Sequence, residues 1–274
     1  MIKQRTNIIS NLRKNKRKNR TKKFFANFIF VLFFISLANL GLTTKEARIK
    51  DVIVSGNNSV ETQKILDIVY QEIDRRYVWI IPTDNLFLLR RNEIKKEIIS
   101  QIKEIGEVKI HNILPDKIKV EVKEREPKGI WCYGTPDDIK DCYFLDIGGF
   151  VFENSPEFSD RAFYRFFGLI TKDGPLGEYY LPFDFEIVFN LMEKLKEMSF
   201  YPKSLYALSD NEYVVYISGG GEIMFNKEKG LEASLINLQA LADNKYIKTD
   251  EVSIKKIKYI DLRFGNKVNF ELQK

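Results

Sequence analysis

Among its 274 residues the chain has a single histidine, two cysteines, and no acidic residue before Glu46. Each shortage excludes something. His111 is the only imidazole available as a base, it sits in a strand-like segment, and no Gly-x-Ser-x-Gly elbow supplies a nucleophile. A Ser-His-Asp arrangement therefore has no support, and a histidine on a strand surface is the plainer reading. Cys132 and Cys142 are ten positions apart, which is neither a Cys-x-x-Cys redox motif nor a zinc knuckle. The triple glycine at Gly219, Gly220 and Gly221 lacks the Gly-Lys-Ser/Thr of a phosphate loop and reads as a hairpin turn. Asp137, Asp138 and Asp141 lack the alternating carboxylates and terminal Glu of a calcium loop, so they read as solvated loop acids. Nothing singles out a carboxylate pair for glycoside chemistry among the 38 acids. No catalytic constellation, metal or cofactor is expected. There is no internal repeat.

The missing acids at the start matter most. Residues 1–23 hold ten of the 44 basic residues and no acid, which leaves 34 basic against 38 acidic residues from position 43 onward. A net charge of +6 thus describes an acidic body with a basic tail. It gives no reason to expect the body to bind nucleic acid. Residues 24–42 are uncharged over 19 positions and carry six Phe. As a helix they would reach about 28 Å, close to the hydrocarbon thickness of a bilayer. A buried core helix and a signal peptide cleaved after Ala38 are the alternatives, and an uncleaved anchor is favoured because the apolar run continues through Leu42. Ten cations before the run keep the tail in the cytoplasm, near anionic lipid, and send residues 43–274 across the membrane.

Outside the cytoplasm, Cys132 and Cys142 can close a disulfide across the turn-rich stretch between them, with two free thiols as the alternative. Ile49–Ser55 reads as a strand closed by Gly56-Asn57-Asn58, and Asn58 with Glu61 reads as a helix start. Ile65, Ile68, Val69 and Ile73 then share a helix face; a second helix begins near Arg91 with Ile94, Ile98, Ile99 and Ile102. Strands follow at 107–113 and 117–126, the second alternating Ile118, Val120 and Val122 with charged residues. The order is β-α-α-β-β. Beyond Pro127-Lys128-Gly129, strands are expected at 130–133, 143–146, 150–153, 212–217, 222–225, 257–264 and 267–272, with helices at 185–198 and 231–243. Residues 159–184 resist assignment. The fold class is α+β: an N-terminal transmembrane helix, a β-α-α-β-β domain, and a mixed, mainly antiparallel β domain with flanking helices.

Several short motifs occur in a telling order. They are Ile53-Val54-Ser55-Gly56-Asn57, Asn85-Leu86-Phe87, Pro115 through Val122, and Glu124-Arg125-Glu126-Pro127 followed by Gly129-Ile130-Trp131. Phe144-Leu145-Asp146, Gly149-Phe150-Val151-Phe152 and Ile260-Asp261-Leu262-Arg263-Phe264 complete the set. Behind a membrane anchor, this series resembles the FtsQ/DivIB family of bacterial cell-division proteins over essentially the whole length. Leu114 departs from it, standing where an aromatic commonly precedes the Pro, and the segment 74–82 looks enlarged. The resemblance implies a cytoplasmic tail at 1–23, a signal anchor at 24–42, a POTRA domain at 43–127 and a β domain at 128–274. It also implies a non-enzymatic, single-pass scaffold of the division septum that recruits FtsB/DivIC-like and FtsL-like partners. A partner strand would add at the C-terminal edge, with Phe264 as the family's aromatic and the backbone from Gly265 through Asn266, Lys267, Val268 and Asn269 to Phe270 pairing with it. An inner strand, or an edge blunted by Lys267 and Lys274, is the alternative. The remaining alternatives are an outer-membrane assembly or secretion component and a tethered cell-wall enzyme.

Overall fold

The computed structural model describes residues 27–31, 33, 48–74, 84–156, 162–170, 174–243, 247, 254–265 and 267–273. The basic tail lies outside the described residues. Of the expected anchor, 27–31 and 33 are described and are helical, with Phe28, Ile29, Phe30, Val31 and Phe33 exposed. Among the described residues no helix is long and apolar enough to cross a membrane. The chain divides into two compact units, one of residues 1–98 with 108–122 and one of residues 99–107 with 123–274.

The first unit follows the order β1 (Asp51–Ser55), α1 (Thr62–Asp74), α2 (Arg91–Gln101), β2 (Ile105–Ile113) and β3 (Lys117–Glu124). The far ends of β2 and β3 group with the second unit. The three strands form a sheet in the order β1-β3-β2, with β1 parallel to β3 and Asp51 opposite Lys117. Val52, Ile118, Val120 and Val122 are buried, as are Ile65, Ile68, Val69 and Ile73 of α1 and Ile94 and Ile98 of α2. Each such side chain contributes about 1.5–3 kcal/mol relative to exposure, and this facing pair of apolar rows holds the unit together. Helix α1 starts at Thr62, later than the Asn58–Glu61 spacing implies. The reason is local: the Asn57 side-chain amide donates to Val60 O at 2.8 Å and Thr62 Oγ1 at 3.0 Å, holding the intervening residues in a bend. Gly56 takes φ 89°, and a Cβ there would meet Val122 O at 2.1 Å, so the turn leaving β1 requires glycine.

The second unit is built on a nine-stranded mixed sheet. Its strands are β4 (Gly129–Thr135), β5 (Asp138–Leu145), β6 (Val151–Asn154), β7 (Arg165–Phe167), β8 (Pro202–Ala207), β9 (Glu212–Ile217), β10 (Glu222–Asn226), β11 (Ile257–Asp261) and β12 (Asn269–Leu272). Their spatial order is β12-β11-β10-β9-β8-β7-β4-β5-β6. Pairs β4·β7, β7·β8 and β10·β11 are parallel, and the other five are antiparallel. Helices α3 (Phe185–Glu197) and α4 (Leu231–Asp243) bury Val188, Leu191, Met192 and Leu195, and Leu238, into a core with Trp131, Phe166, Phe185, Val215, Ile223, Ile257 and Ile260.

Strands β7 and β8 were not legible as strands. The three residues of β7 lie in the 159–184 stretch and are too few to show a period, while β8 opens on Pro202 and carries Lys203 and Ser204. The closing strands are shorter than expected because, after Leu262 N donates to Met224 O of β10 at 2.9 Å, Arg263 to Gly265 turn, and strand pairing resumes only at Asn269. At the opposite margin, the outward groups of Val151 in β6 are taken: its N–H donates to Glu178 O at 2.9 Å and its carbonyl accepts from Gly177 N at 2.8 Å.

Candidate partner-binding edge

Among the described residues, strand β12 pairs with β11 alone and occupies the outermost place in the sheet. The register sets Asp261 opposite Asn269, Ile260 opposite Phe270, Tyr259 opposite Glu271 and Ile257 opposite Leu272. Directly opposed residues share a face, so Phe270 and Leu272 continue the row of Ile260 and Ile257. Ile257 and Ile260 are wholly buried, whereas Phe270 is 37% and Leu272 44% exposed. The core row therefore overhangs into solvent at its last strand. The Gln273 amide points back to Lys256 O at 2.6 Å. By the alternation of an antiparallel pair, the backbone N–H and C=O of Phe270 and Leu272 then face away from β11.

The turn before β12 is braced from three sides. The Arg263 guanidinium donates to both carboxylate oxygens of Asp261, Nε to Oδ1 at 2.9 Å and Nη2 to Oδ2 at 2.7 Å, and the Arg263 amide adds a third bond at 3.1 Å. Burial alone would raise the Asp261 carboxyl, but the Arg263 fork outweighs it and holds the group below its ordinary value. The same fork raises Arg263. The guanidinium also lies 5.8 Å from the centre of the exposed Phe264 ring. From α4, Asn237 Nδ2 donates to Gly265 O at 2.9 Å, fixing the turn where Gly265 adopts φ 69°. Val268 packs partly into the core, and Lys258 pairs with Glu271 at 3.0 Å across β11 and β12. Phe264, Gly265, Lys267 and Asn269 line an open groove of about 760 Å³ beside the strand.

The residues singled out from sequence fall as follows. Asn269 and Phe270 lie in β12, Phe264 and Gly265 in the turn, Lys267 and Val268 just before the strand, and Asn266 outside the described residues. Glu271 and Leu272 fall within the strand expected at 267–272 but were not among the expected contact residues, and sequence reasoning missed the Asp261–Arg263 fork; two opposite charges two positions apart at a strand end were its available signal. Cys132 and Cys142 face each other across β4 and β5 and are joined by a disulfide. His111 is exposed on β2 with Nε2 3.6 Å from Glu121. Gly219 and Gly220, both at positive φ, turn β9 into β10. Among the described residues no group of three or more His, Cys, Asp or Glu side chains could hold a metal ion.

The first unit is a β-α-α-β-β domain whose parallel β1·β3 pair closes a three-stranded sheet, and the second is built on a large sheet that ends, among the described residues, on β12. Residues 47–125 match the family described as POTRA domain, FtsQ-type. That match supports placing the chain in the FtsQ/DivIB family of bacterial cell-division proteins, and domains of this type are non-enzymatic scaffolds. No curated protein matches the chain.

Proposed function

We propose that the chain is a single-pass scaffold of the bacterial division complex, which takes up an FtsB/DivIC-like partner, and FtsL-like protein with it, by strand addition to β12. The observation that carries the reading is the outward-facing backbone of Phe270 and Leu272 at the end of the sheet. A partner strand would hydrogen-bond to that backbone and lay alternate apolar side chains over Phe270 and Leu272. The FtsQ-type POTRA match supports the cell-division context. The basic tail at 1–23 and the apolar run at 24–42 support a cytoplasmic-membrane location with the N-terminus in the cytoplasm and both folded units outside it.

Truncation after Phe264 should abolish co-purification with the FtsB-like partner. Leu272→Pro is the finer probe. Proline removes only the outward amide at that position, and an edge strand accommodates it with its pairing to β11 intact. Leu272→Pro should weaken partner binding far more than Leu272→Ala, with the circular dichroism of both unchanged. Undiminished binding by Leu272→Pro would refute strand addition at this edge.

A further inference from the structure

The first unit has an apolar tip at the end where the chain enters it. Five residues, 43–47, separate the apolar run from Arg48, a reach of about 20 Å at most. Arg48 bridges to Asn85, Ile49 N donates to Asp84 O at 2.8 Å, and Lys50 N donates to Asp116 O at 2.8 Å. The entering backbone is thus clasped between the 84–88 loop and the β2–β3 turn. The Arg91 guanidinium ties these loops together, donating to Leu86 O at 3.3 Å and Asn112 Oδ1 at 2.8 Å. Leu86 is wholly buried, while Phe87 beside it is 65% exposed and Leu114 in the turn is 70% exposed. The Phe87 amide donates to Asn85 Oδ1 at 2.8 Å, so the ring is held outward by a fixed turn.

The charges at this end also differ from those of the acidic body. Among the described residues Arg48, Lys50, Arg90, Arg91 and Lys117 cluster here against Asp51, Asp84, Glu93 and Asp116, and the ion pairs Arg48–Asp84, Lys50–Asp116, Arg90–Glu93 and Lys117–Asp51 leave one cation in excess within that set. An apolar tip bordered by cations, tethered within about 20 Å of an apolar run, matches the headgroup layer of an anionic bilayer. Resting on the membrane-anchored reading above, we propose that Phe87 and Leu114 insert into the surface of the bilayer that holds the anchor. They seat the POTRA domain on the lipid and fix its height and tilt. The occupant of the tip is lipid.

The test uses the full chain in nanodiscs of phosphatidylcholine and phosphatidylglycerol. Phe87→Cys, Leu114→Cys and Lys123→Cys each introduce one free thiol, the native pair being bonded, and each is labelled with an environment-sensitive fluorophore. Lys123 sits on β3 about 20 Å from Lys117, at the far end from the turn. Lipids carrying a quencher near the headgroup should quench positions 87 and 114 several-fold more than position 123. Equal quenching at all three, or none at 87 and 114, overturns the proposal while leaving the anchor and the β12 edge intact. Shielding of 87 and 114 that appears only on adding a partner protein overturns it in favour of a protein occupant. Failure of the chain to be retained in the discs overturns both this proposal and the anchored reading.

Discussion

Replacing Arg263 by Met leaves the Asp261 carboxylate with a single backbone donor. Two charge-assisted bonds, at 2.9 and 2.7 Å, are lost, and Asp261 is only 10% exposed through its side chain. Breaking one partner of a buried ion pair typically costs about 3–5 kcal/mol. The Arg263 side chain is 30% exposed, so water can reach the abandoned carboxylate, and a loss of about 2–3 kcal/mol is the better expectation. For a chain of this size that corresponds to a melting shift of about 4–12 °C. The measurement is urea unfolding of the full chain in detergent with Trp79→Phe in the background, so that Trp131, buried in the second unit's core, alone reports. A double-mutant cycle with Asp261→Asn isolates the pair. Acid adds an independent check: because the folded carboxyl lies below its ordinary value of 3.8, its contribution is complete above that value and is lost as the pH falls through the lower folded one. Asp261→Asn should lack that part of the acid-induced decline. A loss under about 0.5 kcal/mol for Arg263→Met, the range of an exposed pair, would refute the reasoning. Full stability of Arg263→Lys would refute it too, since lysine cannot reproduce the fork.

Two further outcomes follow from the fold. Reducing the Cys132–Cys142 disulfide reopens a loop spanning ten positions and should cost about 2–3 kcal/mol of stability, read as a fall in the urea midpoint of the Trp131 transition; an unchanged midpoint would show that the bond carries no such load. Gly56→Ala sets a Cβ 2.1 Å from Val122 O at φ 89° and should destabilise the first unit by about 3 kcal/mol, measured by amide hydrogen exchange of α1 and β3. Near-native protection there would mean that the turn can rearrange at little cost.

The elements that could be read from sequence are those whose partners matter least. Helix α1 announces itself because Ile65, Ile68, Val69 and Ile73 repeat at helical spacing, and burial on any surface satisfies that stripe. Strand β3 shows through the alternation of Ile118, Val120 and Val122 against charged neighbours. Strand β12 likewise declares a period, but not that it stands outermost among the described strands. Edge status depends on strand order, and β11 joins β10 in parallel only after a connection that includes α4, a pairing no local pattern encodes. The assignment of Phe264 to Phe270 as the contact came from resemblance, whereas the outward placement of the Leu272 backbone needed the register and the Gln273 bond. Strand β7 was hidden for the converse reason: parallel neighbours on both sides bury Phe166 and Phe167 in different clusters, which erases the wet face that makes a strand readable.

The two margins of the nine-stranded sheet are unlike. One ends on β12, and the other is occupied at Val151 by the backbone of Gly177 and Glu178. Under the proposed strand addition, a sheet that among the described residues is occupied at Val151 on one side and ends on β12 at the other takes its newcomer at β12. Once a strand docks, the open margin no longer belongs to this chain; it belongs to the newcomer. Whether the assembly stops at one guest or continues is then decided by what that guest presents on its outer side.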